Sequence, residues 1–100
     1  MSEMPTFVYV LKPHHSSLIE EMSPAEELVA SQHFEYLQRA LGERRLVLAG
    51  PCLDGEFGIV VFRARTQEAA LEFMSNDPAV KGELMTARLH AFRISLMEKD

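Results

Sequence analysis

Several things are scarce in this chain: among its 100 residues there is one cysteine, no tryptophan, five glycines and five prolines. A single Cys52 cannot close an intrachain disulfide or supply a multi-cysteine zinc site, so nothing asks for an oxidising compartment and the cytoplasm is the expected location. The modest glycine and proline content, beside 47% hydrophobic and 25% charged residues, excludes collagen-like, low-complexity and disordered chains. Positive charge is short as well. Ten Lys and Arg against fifteen Asp and Glu leave a net charge of -5, the wrong sign for affinity built on phosphate neutralisation, so nucleic acid is not an expected partner. Long apolar runs are missing, since the stretch from Leu46 to Leu53 is broken by Gly50 and Pro51. Met1 to Pro5 has neither a basic nor an apolar leader character, so neither a signal peptide nor a membrane span is expected. One domain remains, because 100 residues are too few to cover two independent cores.

What is present reads as alternating strands and helices. Thr6 to Leu11 is a run of β-branched and aromatic residues that Lys12-Pro13 is expected to end. Pro13 to Met22, with two His and two Ser and no period, suits a surface loop. Ser23-Pro24-Ala25-Glu26 places a hydroxyl at an N-cap, Pro at the first helical position and Glu where a capping box needs it. The helix predicted from there runs to about Leu41, with Gly42 supplying left-handed geometry at its end. At roughly 100° per residue, Val29, Ala30, His33, Leu37, Ala40 and Leu41 fall on one inward side, which turns an imidazole toward the buried face. Arg45 to Cys52 and Glu56 to Arg65 read as two strands joined through an Asp54-Gly55 turn. Thr66 caps a shorter helix from Glu68 to Ser75 with Ala69, Ala70, Phe73 and Met74 inward. Asp77 can cap a single further turn, Pro78 to Lys81, that finishes at Gly82 ahead of a last strand from about Leu84 to Leu96, in which His90, Phe92, Ile94 and Leu96 alternate.

This order predicts an α+β fold, a ferredoxin-like plait: βαββαβ, with a four-stranded antiparallel sheet and two helices on one face. Adjacent apolar residues in the middle strands, such as Val60 and Val61, ask for burial on both faces, so a homodimer closed sheet to sheet is predicted.

Three groups of residues together resemble a known family: Gln32-His33-Phe34-Glu35-Tyr36-Leu37, Leu48-Ala49-Gly50-Pro51 with Asp54-Gly55, and Asn76-Asp77-Pro78. In order and spacing they are similar to the YCII-related (YciI-like) family across nearly the whole chain, with a longer segment from Pro13 to Met22. The resemblance implies a dimeric α/β barrel made from two plaits, a cleft between helices and sheet, and a His and Asp active-site pair at His33 and Asp77. It also implies kinship with dehydrochlorinases of hydroxylated aromatic compounds and, more widely, with muconolactone isomerases and ring-modifying monooxygenases. The fold follows from such a likeness far better than the chemistry does.

Each candidate has a structural reading beside the functional one. His33 alone reads as a core histidine. With a carboxylate to fix its tautomer it becomes an acid or base for a proton beside a carbonyl or oxygen. Asp77 before Pro78 is an N-cap, and one carboxylate can serve both roles, one oxygen capping while the other accepts from His33. Gly50 and Pro51 are expected to form a bulge or tight bend where a small-molecule ligand or substrate approaches, or a strand-ending turn. Tyr9 and Tyr36 are candidate phenols of the cleft, or packing at a dimer contact. Cys52 reads as packing, Arg63 and Arg65 as anion contacts or solvated strand ends, and His14-His15 lacks the spacing of a metal site. The expected function is cofactor-independent acid/base chemistry, lyase or isomerase in type, on a small cyclic or aromatic metabolite. The alternatives are a non-catalytic dimeric module that binds small molecules or is structural, and a haem protein with His33 as axial ligand, for which the chain offers too small a pocket. No cofactor and no metal are expected.

Overall fold

The computed structural model describes residues 4–14 and 21–98, so most of the expected loop after Pro13 lies outside the described residues. In β1 (Thr6–Pro13), Phe7, Tyr9 and Leu11 are buried while Thr6, Val8 and Val10 stay partly exposed, the period of two that marks a strand covered on one face. β2 (Leu46–Pro51), β3 (Gly58–Arg63) and β4 (Met85–Phe92) complete a four-stranded antiparallel sheet in the order β2-β3-β1-β4. The helices are α1 (Pro24–Gly42), α2 (Gln67–Ser75) and the single turn α3 (Pro78–Lys81). Leu37 and Ala40 of α1 and Ala70, Phe73 and Met74 of α2 join Phe7, Tyr9, Leu11, Val60 and Phe62 in one core, so α1 and α2 cover the same sheet face. This is the ferredoxin-like plait. Phe73 is its hub, with ring centroids 4.7 Å from Phe62, 5.1 Å from Tyr36 and 6.2 Å from Tyr9.

The caps follow the local signals. Ser23 Oγ accepts from the Glu26 amide while the Glu26 carboxylate accepts from the Ser23 amide, and Thr66 accepts from the Ala69 amide. The turn between β2 and β3 has Gly55 at φ 79°, with the Asp54 carboxylate accepting from the Glu56 amide.

Other expectations need correction. β1 does not stop at Leu11, because β4 pairs on through Pro13 and Met85 after β3 has ended at Gly58, leaving Pro13 with a neighbour on one side alone. β4 stops at Phe92 because its partner begins at Thr6, so Ile94 and Leu96 lie outside the sheet. His90 and Phe92 stand opposite Val8 and Thr6, on the face away from the helices. The bulge of β2 falls between Leu46 and Leu48, while Gly50 and Pro51 continue the strand opposite Ile59 and Gly58 on an edge that tolerates proline. Gly42 is not the left-handed residue. That geometry belongs to Arg44 at φ 64°, in a turn closed by the Arg45 amide on the Ala40 carbonyl at 2.9 Å. The same displacement recurs after α3, where Glu83 has φ 60°. Gly82 matters for space instead: a Cβ there would meet the Pro78 carbonyl oxygen at 2.9 Å and Val29 Cγ1 at 3.2 Å. The end of α3 is thus pressed against α1, which brings Asp77 close to His33.

Candidate active site

Asp77 sits between the end of α2 and Pro78, and it is fully buried. Its Oδ1 accepts from the Ala79 amide at 2.9 Å and faces His33 Nδ1 at 2.6 Å, while Oδ2 accepts from the Tyr9 hydroxyl at 2.6 Å. The Ala79 amide and the Tyr9 hydroxyl both donate to the carboxyl, and His33 does so in the tautomer that carries its proton on Nδ1. The capping and imidazole roles expected of Asp77 therefore coexist, but both fall on Oδ1 and the second oxygen belongs to Tyr9. Burial, then the charge of Asp77 and the bond to it, holds the Tyr9 phenol far above the ordinary tyrosine range, so Tyr9 remains a donor. With Nδ1–H given to the carboxylate, a neutral His33 ring carries its lone pair on Nε2, which has no partner among the described residues.

A cavity of about 680 Å³ opens between α1 and the β2 and β3 end of the sheet. Ala30, His33, Phe34, Leu37, Gln38 and Leu41 of α1 form one wall, and Gly50 and Pro51 lie on another. Leu41, expected inward, is 55% exposed and Phe34 62% because this wall of α1 borders the cavity and not the core. His33 belongs to both regions: its side chain lines the cavity while its Nδ1 meets buried Asp77. Among the described residues, this is where the polar centre reaches open space.

The remaining candidates separate. Tyr9 and Tyr36 do not line the cavity. Tyr9 stands behind Asp77, whereas Tyr36 stacks on Phe73 and donates to the Phe73 carbonyl at 2.8 Å. The Tyr36 phenol is pushed up to about 12, chiefly by burial and then by the charge of Asp77. Cys52 is a free, partly exposed thiol on the cavity wall. Arg63 and Arg65 are not on it. No group of three or more His, Cys, Asp or Glu that could hold a metal occurs among the described residues. The partnership of Tyr9 with Asp77 was not foreseen. Its signal was the parity of Tyr9 with Phe7 and Leu11, which buries a phenol that must then find an acceptor.

A family model described as the YCII-related domain matches residues 6–90. The chain belongs to the YCII-related family. Among solved structures, this YCII-related chain is similar to 5-chloro-2-hydroxyhydroquinone dehydrochlorinase from Burkholderia phenoliruptrix AC1100 in complex with 2,5-dihydroxybenzoquinone, with TM-score 0.69 and 18% identity over 88% of this chain and 93% of that one. It is also similar to muconolactone isomerase, with TM-score 0.70 and 16% identity over 95% of this chain and 97% of the other. At such identities the likeness establishes the fold alone, the α+β plait that the order of elements predicted. No curated protein matches the chain. Among the described residues no helix is long and apolar enough to cross a membrane.

Proposed function

We propose that this YCII-related protein is a cytoplasmic, cofactor-independent acid/base enzyme of lyase or isomerase type that acts on a small cyclic or aromatic molecule. His33 transfers the proton, and Asp77 positions it. One observation carries the reading: the His33 ring lines a cavity of about 680 Å³ while its Nδ1 lies 2.6 Å from a fully buried carboxylate. Asp77 sets the tautomer, so Nε2 is presented as a base and becomes an acid once protonated. Tyr9 acts through Asp77 by occupying Oδ2, and Gly50 and Pro51 supply backbone on the ligand side of the cavity. The two similar structures are named for an elimination and an isomerisation, reactions that a positioned proton acceptor serves.

The test is a screen of hydroxylated and lactone-containing ring compounds for proton exchange, isomerisation or elimination, followed by the same assay on His33→Ala with its fold checked by circular dichroism. The variant is expected to lose about 100-fold or more in turnover, as removal of a general acid or base does. Unchanged turnover sinks the assignment. A second reading, a non-catalytic module that binds a small molecule or is structural, is favoured by the complete hydrogen bonding of Asp77 as the cap of α3. It requires that no turnover be found and that His33→Ala keep full ligand affinity.

The protein acts as a homodimer in this proposal. The sheet face away from the helices carries Val8, Val10 and Ile59, partly exposed apolar residues on the paired strands β1 and β3, a strip that a second copy covers. Light scattering at micromolar concentration should give a mass near twice 11.3 kDa, and a monomer mass refutes it.

A further inference from the structure

The cavity that His33 lines is nearly bare of polar side chains: His33, Gln38 and Cys52 are the polar ones on its walls, and no Lys, Arg, Asp or Glu lines it among the described residues. Two of the cations are committed elsewhere. Arg45 pairs with Glu43 at 2.7 Å and lies 5.2 Å above the Phe73 ring, and Arg63 approaches the Arg44 carbonyl. Of the ten Lys and Arg in the chain, Lys99 alone falls outside the described residues, and the segment 15–20 that precedes α1 contains none. A positive charge gained by His33 is already balanced by Asp77 at 2.6 Å. An anion entering this space exchanges its water for apolar walls with no counter-charge, which is the costly way to bury an ion. A neutral ring loses little and keeps polar partners at Nε2 of His33 and the Gln38 amide. The volume of about 680 Å³ has ample room for a ring compound.

We infer that the cavity selects uncharged ring compounds bearing hydroxyl or carbonyl groups and rejects their carboxylated counterparts. The inference rests on the proposed use of this cavity as the ligand site but not on any turnover there. It therefore stands or falls by binding, whereas the catalytic reading stands or falls by the His33→Ala assay.

The probes are resorcinol and 3,5-dihydroxybenzoate, the same ring without and with an ionised carboxylate, titrated at neutral pH into the full-length protein and followed by amide NMR. Resorcinol is expected to shift resonances of α1 residues from Ala30 to Leu41 and to bind at least about tenfold more tightly than the benzoate. Equal or tighter binding of the benzoate overturns the inference, as does saturation by neither probe at millimolar concentration, or shifts confined to residues away from α1 and β2. Gln38→Lys gives the reciprocal test, because Gln38 is exposed and its replacement leaves the core intact. Adding that cation should raise benzoate affinity about tenfold, and no gain for the benzoate overturns the inference.

Discussion

Ser23 and Asp77 cap helices in the same way, yet one is an ordinary helix start and the other the centre of a site. Ser23 is exposed, and its capping partners lie three residues away, within Glu26. Asp77 makes the same kind of local bond, to the Ala79 amide, but it is fully buried and its other partners, His33 and Tyr9, are 44 and 68 residues distant. Solvent can satisfy the spare lone pairs of an exposed cap. A buried carboxylate must find protein donors for them, and these donors make a cap into a junction of β1, α1 and α3.

The largest effect that sharpens this contrast is Asp77→Ala. It strips three donors of their acceptor at a fully buried point and should cost about 3–5 kcal/mol in urea unfolding, whereas a loss no larger than an exposed cap's means that the junction is energetically ordinary. Tyr9→Phe comes next, with about 1.5–3 kcal/mol lost at neutral pH for a bond to a charged acceptor. It also carries a pH signature. The Tyr9 phenol is raised in the fold above its unfolded value of 10.0, so its contribution is fully present below about pH 10 and declines as pH rises from there toward the folded value. The wild type should lose about 1.4 kcal/mol more than Tyr9→Phe between about pH 9 and pH 11, because phenylalanine does not titrate. Parallel pH profiles would mean that Tyr9 does not stay protonated through its contact with Asp77. Ser23→Ala gives the smallest effect, about 1 kcal/mol with no change at the His33 ring by NMR. A cost matching that of Asp77→Ala would erase the distinction between the two caps.

Much of the architecture is legible in the residues because its signals are local. The Ser23 capping box, the Thr66 and Asp77 caps, the Asp54-Gly55 turn and the parity of Phe7, Tyr9 and Leu11 each act within a few positions. Misplaced features depend on neighbours instead. The lengths of β1 and β4 are set by where their partners start and stop, and the left-handed residues at Arg44 and Glu83 by the bonds that close each turn. Leu41 follows the helical period toward one side of α1, yet the sheet beneath that turn leaves a cavity and not a core.

The site divides along the same line. The amino-acid sequence by itself determined the ferredoxin-like order of elements, the family, an imidazole on the inward side of α1 and a capping carboxylate before Pro78, since these need only periodicity and local hydrogen bonding. Tertiary structure decided that α3 packs against α1 across Gly82 and that one carboxylate oxygen serves both the cap and His33. It also gave the other oxygen to Tyr9, left Tyr36 stacked on Phe73 and bared His33 to an uncharged cavity. Those outcomes depend on angstrom-scale distances between segments far apart in the chain, which only the packed core sets.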